Sequence, residues 1–301
     1  MIRFDDLTLA TTVHNNAVMS AGMLHSCVHQ VGSVAQIVVV DDASATPFVP
    51  PHLDDIPIRV LRNETALGFC KASDRALREV QTRYALLVDA DVLFQPGDFA
   101  GGYREFQKGN WAWVNFRQIS FSGTPQNSFE QPLMPPWVFA AGNQIFSLWE
   151  KLHRVPVEAP PGCRIVEAQA VHSSCTLVDL EAFRAIGGFD PWYAQCQSDI
   201  EISLRFRARG FRVGVDLGYE VKHEGAGGKS GSPARVLDLY RARVHLYERA
   251  FPVSRFYLRP LLFVRHALEL AWFAMLAPFG GNSARLQNRV QMLKGALSGY
   301  Q

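Results

Sequence analysis

Along the first third of the chain, short β-rich apolar runs are separated by stretches of helical period. The runs are Leu7 to Val13, Gln36 to Val40, Ile58 to Leu61 and Tyr84 to Val88, and each has the length of a strand. Ala17 to Val31 and Lys71 to Val80 repeat their apolar residues every three or four positions, which predicts helices. Strands that lack polar alternation are covered on both faces, so with helices between them they form a mostly parallel, doubly wound α/β sheet. Ligands of such sheets bind beyond the carboxyl ends of the strands.

Between Phe116 and Pro161 the periodicity gives way to Pro, Gly, Gln and aromatic residues, which predicts a long irregular segment. Order resumes with a strand over Val171 to Val178, a helix over Leu180 to Ile186 and a turn at Gly187-Gly188-Phe189-Asp190. A helix is expected from Asp199 to Arg209, a short β run from Tyr219 to Lys222, and a further helix start at Ser232-Pro233, with serine as cap and proline in the first turn. Phe263 to Phe279 is strongly apolar, yet Arg265, His266 and Glu269 fall on one stripe of it. Such a run is too short and too charged for an easy membrane span. It reads either as an interfacial helix or as a helix packed on the protein or in a dimer contact. These patterns divide the chain into residues 1–251, with halves 1–115 and 116–251, and a basic, amphipathic helical segment 252–301.

A chain of 301 residues that is 48% hydrophobic buries a large core, which excludes disorder. The net charge of +2 conceals an imbalance: beyond residue 250, Arg255, Arg259, Arg265, Arg285, Arg289 and Lys294 face only Glu269. A basic end beside apolar residues points to an anionic membrane surface as partner, although a solvated helix face has the same composition. Nucleic acid is not an expected partner, and oligomerisation is left open. Five cysteines without a C-x-x-C pair exclude a zinc knuckle or disulfide framework and fit a reducing cytosol. Asp5 and Asp6 near the start, without a hydrophobic core segment, are unlike a secretory signal, so a cytoplasmic site, peripheral at the inner membrane face, is expected.

The candidate chemistry sits at strand ends. Asp89-Ala90-Asp91 follows YALLV, and alternation points both carboxylates into the same crevice, as a Mg2+ or Mn2+ diphosphate site requires. Acidic residues that only begin a turn look the same. His223 opens the glycine-rich run HEGAGGKSGSP; its imidazole suits Mn2+ as an added ligand, and Lys229 could reach diphosphate charge. Asp199 at a helix start is placed to take a proton from a hydroxyl, while Ser198 and Glu201 also fit a capping box that involves no chemistry. Thr12 and Asp42 end two other strands, where they would meet ribose and base or make turn hydrogen bonds. Arg62 and Lys71 could meet phosphate or base, or be surface charges.

Taken in order, VVVDDAS, LRNETALGFCKASDRAL, YALLVDADV, AIGGFD, SDIEISLRFRARGF and VKHEGAGG resemble the family 2 glycosyltransferases of the GT-A fold, in particular rhamnosyltransferase-like bacterial members. The similarity runs from about Leu7 to Phe251. It implies a nucleotide-binding half over 1–115 and an acceptor-side half over 116–251. It also implies inverting, metal-dependent transfer, of the hexosyltransferase type, from a nucleotide-diphosphate sugar to a saccharide or glycolipid acceptor in cell-surface polysaccharide or glycolipid synthesis. By that resemblance Asp42 matches the base-reading acid, Asp91 the metal ligand of the D-x-D motif and Asp89 its partner near ribose and diphosphate. His223 matches the late metal-binding histidine and Asp199 the aspartate of the Glu-Asp base motif. Three positions depart from the pattern: Ser198 stands for glutamate, Asp74 for asparagine and His14 for an aromatic residue.

Rival readings are a sugar nucleotidyltransferase, a dinucleotide oxidoreductase and a non-catalytic nucleotide-sugar binder or assembly scaffold. The first two want a glycine-rich loop after the first strand, where Thr11-Thr12-Val13-His14-Asn15-Asn16 stands instead. Ser198 gives the third a foothold, against the intact Asp89, Asp91, Asp199 and His223.

Overall fold

A computed structural model describes residues 2–53, 56–130, 133–153, 161–224, 233–276 and 283–298. The elements run β1 (Arg3–Val13), α1 (Ala17–Gln30), β2 (Ser33–Asp41), β3 (Ile58–Arg62), α2 (Phe69–Arg78), β4 (Tyr84–Val88), β5 (Val92–Phe94), α3 (Phe99–Lys108) and β6 (Trp111–Ile119). There follow β7 (Pro125–Gln126), β8 (Phe129–Glu130), α4 (Pro136–Ala141), α5 (Asn143–His153), β9 (Ile165–Glu167), β10 (Ala170–Val171), β11 (Cys175–Asp179) and α6 (Leu180–Ala185). The remainder is α7 (Ser198–Ala208), β12 (Arg212–His223), α8 (Pro233–Ala250), a 3-10 turn at Pro252–Phe256, α9 (Leu258–Leu276) and α10 (Ser283–Leu297).

The main sheet has the order β3-β2-β1-β4-β11-β6-β12-β5, with β7 on β6 and β9 on β12. β3, β2, β1 and β4 are mutually parallel, β11 runs against both β4 and β6, and β6 and β12 are again parallel. This is the expected α/β, mostly parallel arrangement. Leu9, Ile37, Leu86 and Leu177 are fully buried, as strands covered on both faces demand. Because β11 is reversed, its first residue, Cys175, lies beside Val88 at the carboxyl end of β4, so a strand start and a strand end meet at one edge.

Two expectations need correction. The segment 116–161 is not irregular throughout: β6 extends to Ile119 and two helices, α4 and α5, follow. The strand expected over Val171 to Val178 is two strands, β10 and β11, parted at Ser173-Ser174.

The chain divides into two compact units, 1–131 with 156–225, and 132–155 with 226–301. The first holds the sheet. The second gathers α4, α5 and α8 with the C-terminal helices. Its core is built by Tyr240, Val244, Tyr247, Leu258, Leu262 and Met292.

Candidate active site

The buried run of β4 stops at Asp89, whose N–H donates to the Ser174 carbonyl (2.7 Å) and whose own carbonyl accepts from Val92 (3.2 Å). The chain turns at once into β5, which pairs with β12 so that Val92 stands opposite His223. The Glu224 N–H then donates to the Asp91 carbonyl (3.3 Å). These ties bring Asp89, Asp91 and His223 together, with one ligand atom of each lying within 4.8 Å of the others. His223 Nε2 is 3.4 Å from Asp91 Oδ1.

Burial, with Asp91 and Asp199 nearby, pushes the Asp89 carboxyl up to about 8 against the opposing pull of His223. Burial disfavours charge on His223 too, yet Asp91 and Asp89 outweigh it and hold the imidazole above its ordinary value. Two carboxylates and an imidazole crowded in this way form a donor set that a divalent cation fits, since its charge relieves the penalty each acid imposes on the other.

His223 is held from behind. Its Nδ1–H donates to Gln118 Oε1 (3.1 Å), and Gln118 Nε2 donates onward to Ser174 Oγ (2.5 Å) and Asn115 Oδ1 (3.1 Å). Asn115 Nδ2 in turn donates to the His172 carbonyl (2.5 Å) and the Ser128 carbonyl (3.2 Å). Gln118 and Asn115 are buried, so this amide chain has fixed polarity: each oxygen receives and each nitrogen gives. Nδ1 therefore keeps its proton, and Nε2, on the Asp91 side, is the nitrogen that would give one up to a cation. Sequence reasoning missed Gln118, Asn115 and Ser174. The available signal was two amides in the strand Trp111–Ile119, one of them three residues from the other.

Asp199 occupies the first turn of α7 and is close enough to Asp89 to raise it. The capping box does not form. Ser198 is the first helical residue and its hydroxyl donates to the Gln195 carbonyl (3.2 Å), while Glu201 takes both arms of Arg205 (2.6 and 2.8 Å). The cap is Gln197, in the left-handed region at φ 66°. Asn15 (φ 57°) and Ala43 (φ 56°) share that conformation in the loops after β1 and β2. A non-glycine residue held there stores strain of about 1–3 kcal/mol.

The other sequence candidates lie at the ends of β1, β2 and β3 and at the start of α2. Asp42 is buried and its carboxylate accepts Asn63 Nδ2 (2.7 Å) and the N–H groups of Leu67 (2.8 Å) and Gly68 (2.9 Å). Of the roughly four acceptor positions on a carboxylate, about one is left for a ligand. Arg62 donates to buried Asp41 and to the Ser44 carbonyl (2.7 Å), so it is tied to the β2 end. Thr12 is half-buried at the end of β1, and Lys71 is exposed in the first turn of α2. Lys229 lies outside the described residues. Of the departures, Asp74 pairs with Arg78 (2.5 Å) and accepts Phe189 N–H (2.9 Å), which clamps the GGFD turn, and His14 donates to the Asp42 carbonyl (2.6 Å).

The fold has known counterparts. The structure superposes on that of GalNAc-T7 with UDP, GalNAc and Mn2+ at a TM-score of 0.59 and 15% identity, over 97% of this chain and 56% of that one. It superposes on the mannosyltransferase PcManGT from Pyrobaculum calidifontis, in complex with GDP-Man and Mn2+, at 0.57 and 15% identity, over 98% of this chain and 86% of that one. At such identity these are likenesses of fold. A stretch of 44 residues is 43% identical to the O-antigen biosynthesis protein RfbC of Myxococcus xanthus, spanning 15% of this chain and 4% of that protein. Residues 8–162 match the model of glycosyl transferase family 2, which takes in β1 to β4, the D-x-D turn and β6, and the chain belongs to that family.

Proposed function

We propose that this chain transfers a sugar, with inversion, from a nucleotide-diphosphate sugar to an acceptor hydroxyl. The observation that carries the reading is the convergence of Asp89, Asp91 and His223 at the strand-end edge, with Asp199 near enough to act on Asp89. Asp89, Asp91 and His223 would hold Mn2+ or Mg2+, which when bound supplies positive charge against the leaving diphosphate.

The chain's own residues do the rest. Asp199, on the first turn of α7, accepts the acceptor proton as the acceptor oxygen forms its bond to the anomeric carbon. The bond from that carbon to the phosphate oxygen breaks on the opposite face, and the nucleoside diphosphate leaves with its electron pair. Thr12, Asp42, Arg62 and Lys71 would meet base, ribose and phosphate on the β1–β3 side. Gln118 and Asn115 keep the imidazole in one tautomer throughout. A saccharide or glycolipid acceptor used in cell-surface polysaccharide synthesis fits the RfbC likeness and the family.

The test is a calorimetric titration with UDP, dTDP and GDP sugars, with and without Mn2+, followed by slow donor hydrolysis. Metal-dependent binding of one nucleotide class with hydrolysis is expected. Absence of nucleotide binding in saturating metal overturns the reading and leaves a scaffold that shares the fold.

A further inference from the structure

Helix α9 is built inside out. Its charged stripe faces the protein: Arg265 is 12% exposed, Glu269 28% and His266 not at all. Arg265 meets Glu269 (3.1 Å) and donates to the Phe139 carbonyl (3.0 Å), and Arg289 of α10 meets the same carboxylate (2.9 Å). The outward face carries Leu261 (45% exposed), Val264 (51%), Leu268 (67%), Trp272 (56%) and Met275 (61%). Their spacing of three, four, four and three residues is a single helix face. Every residue of α9 in the exposed class is apolar, and just upstream Phe256 is 83% exposed beside exposed Arg255.

A protein in water gains from the reverse arrangement, with apolar residues inside and ions out. The helix has 19 residues, about 28 Å at the usual rise. Among the described residues no helix is long and apolar enough to cross a membrane, so the face would lie along a bilayer rather than span it.

Charge selects the occupant. Of the cations in residues 252–301, Arg265 and Arg289 pair with Glu269 and Arg259 with Glu248, while Arg255 and Lys294 are exposed with their charge toward solvent. A second copy would bring the same excess of positive charge against this one. Anionic headgroups offer the opposite sign to the cations and an acyl boundary to the apolar stripe.

We propose that the outward face of α9 seats on an anionic phospholipid surface. The inference is independent of the sugar-transfer reading, because it uses no residue of the strand-end cluster.

The test is sedimentation of the full chain with vesicles of phosphatidylglycerol and phosphatidylcholine, beside vesicles of phosphatidylcholine alone, at low and high salt. The variant carrying Leu268→Glu and Trp272→Glu is the comparison. Both positions are solvent-facing, so circular dichroism should match the wild type. Binding to the anionic vesicles that weakens with salt, and a drop of tenfold or more in partition for the variant, are expected. No binding to anionic vesicles, equal partition of the two proteins, or equal binding to both lipid mixtures overturns the proposal. So does a wild-type dimer in light scattering that the substitutions abolish without any lipid binding, which would assign the face to a second copy.

Discussion

Replacing Gln118 by leucine isolates what the amide chain does for His223. Leucine keeps much of the buried volume but deletes the acceptor of the Nδ1–H bond (3.1 Å) and the donor to Ser174 and Asn115. The imidazole then keeps its place beside Asp91 but loses the partner that decides which nitrogen bears the proton. Loss of such a support behind a ligating histidine typically costs 10–100-fold in metal affinity, or about 1.4–2.7 kcal/mol. Buried groups left unpaired add a separate stability cost of about 1–3 kcal/mol, read from denaturant unfolding in the absence of metal. Affinity is measured by Mn2+ titration, followed by calorimetry and by the free-ion electron paramagnetic resonance signal. The 15N shifts of the His223 ring report the tautomer: Nδ1–H in the wild type and a mixture in the variant. Wild-type Mn2+ affinity in Gln118→Leu, with affinity lost in Asp91→Asn, refutes the positioning argument and leaves the metal site standing. A wild type that binds no Mn2+ refutes the site itself.

Asp199→Asn keeps the size of the side chain and removes its basicity, so turnover should fall by about 10²-fold or more while donor affinity holds; weakened donor binding with unchanged turnover contradicts the role. Mn2+ must displace protons from Asp89, at about 8, and from His223, so apparent affinity should rise with pH and level off once both are deprotonated. A flat dependence between about pH 6 and about pH 9 would count against that ligand set. In the helical unit, burial opposes charge on Glu269, but His266, Arg265 and Arg289 outweigh it and lower its carboxyl from 4.5 to about 2. A depressed acid stabilises the fold above its unfolded value and loses that contribution as pH falls toward the folded one. Glu269 thus contributes on the order of 3 kcal/mol at neutral pH, which disappears between about pH 4.5 and 2. Burial keeps His266 below its ordinary value, so protonation of the unfolded chain below 6.5 acts in the same direction. Glu269→Gln should flatten this acid limb in unfolding followed by circular dichroism, and an unaltered limb contradicts the assignment.

β4 was legible because burial on both faces leaves an unbroken apolar run, YALLV. Asp89 and Asp91 were legible for the complementary reason, since a pair of acids at the end of such a run has left the core. Gln118 and Asn115 were not, because amides in a strand read as a solvated face unless the cover over that face is known. Ser198 misled: S-x-x-E has the spacing of a capping box, but Arg205 holds Glu201 more firmly than a helix N–H would. The α9 stripe was visible in the sequence, and only packing could tell which side of it faced inward. The same holds for α8, whose helical pattern says nothing about the unit it joins.

Asp91 and His223 come from distant parts of the chain, and they meet only when the last strand of the sheet pairs with the short strand that follows the D-x-D turn. That pairing closes a very long loop, a slow and entropically costly event. The cluster of Asp89, Asp91 and His223 therefore cannot exist in a half-built sheet, and a cation that bound there would act on the finished protein alone. By mass action it would draw the folding equilibrium toward completion. Mn2+ uptake during refolding then becomes a clock for the final strand, silent until β12 docks and blind to everything assembled before it.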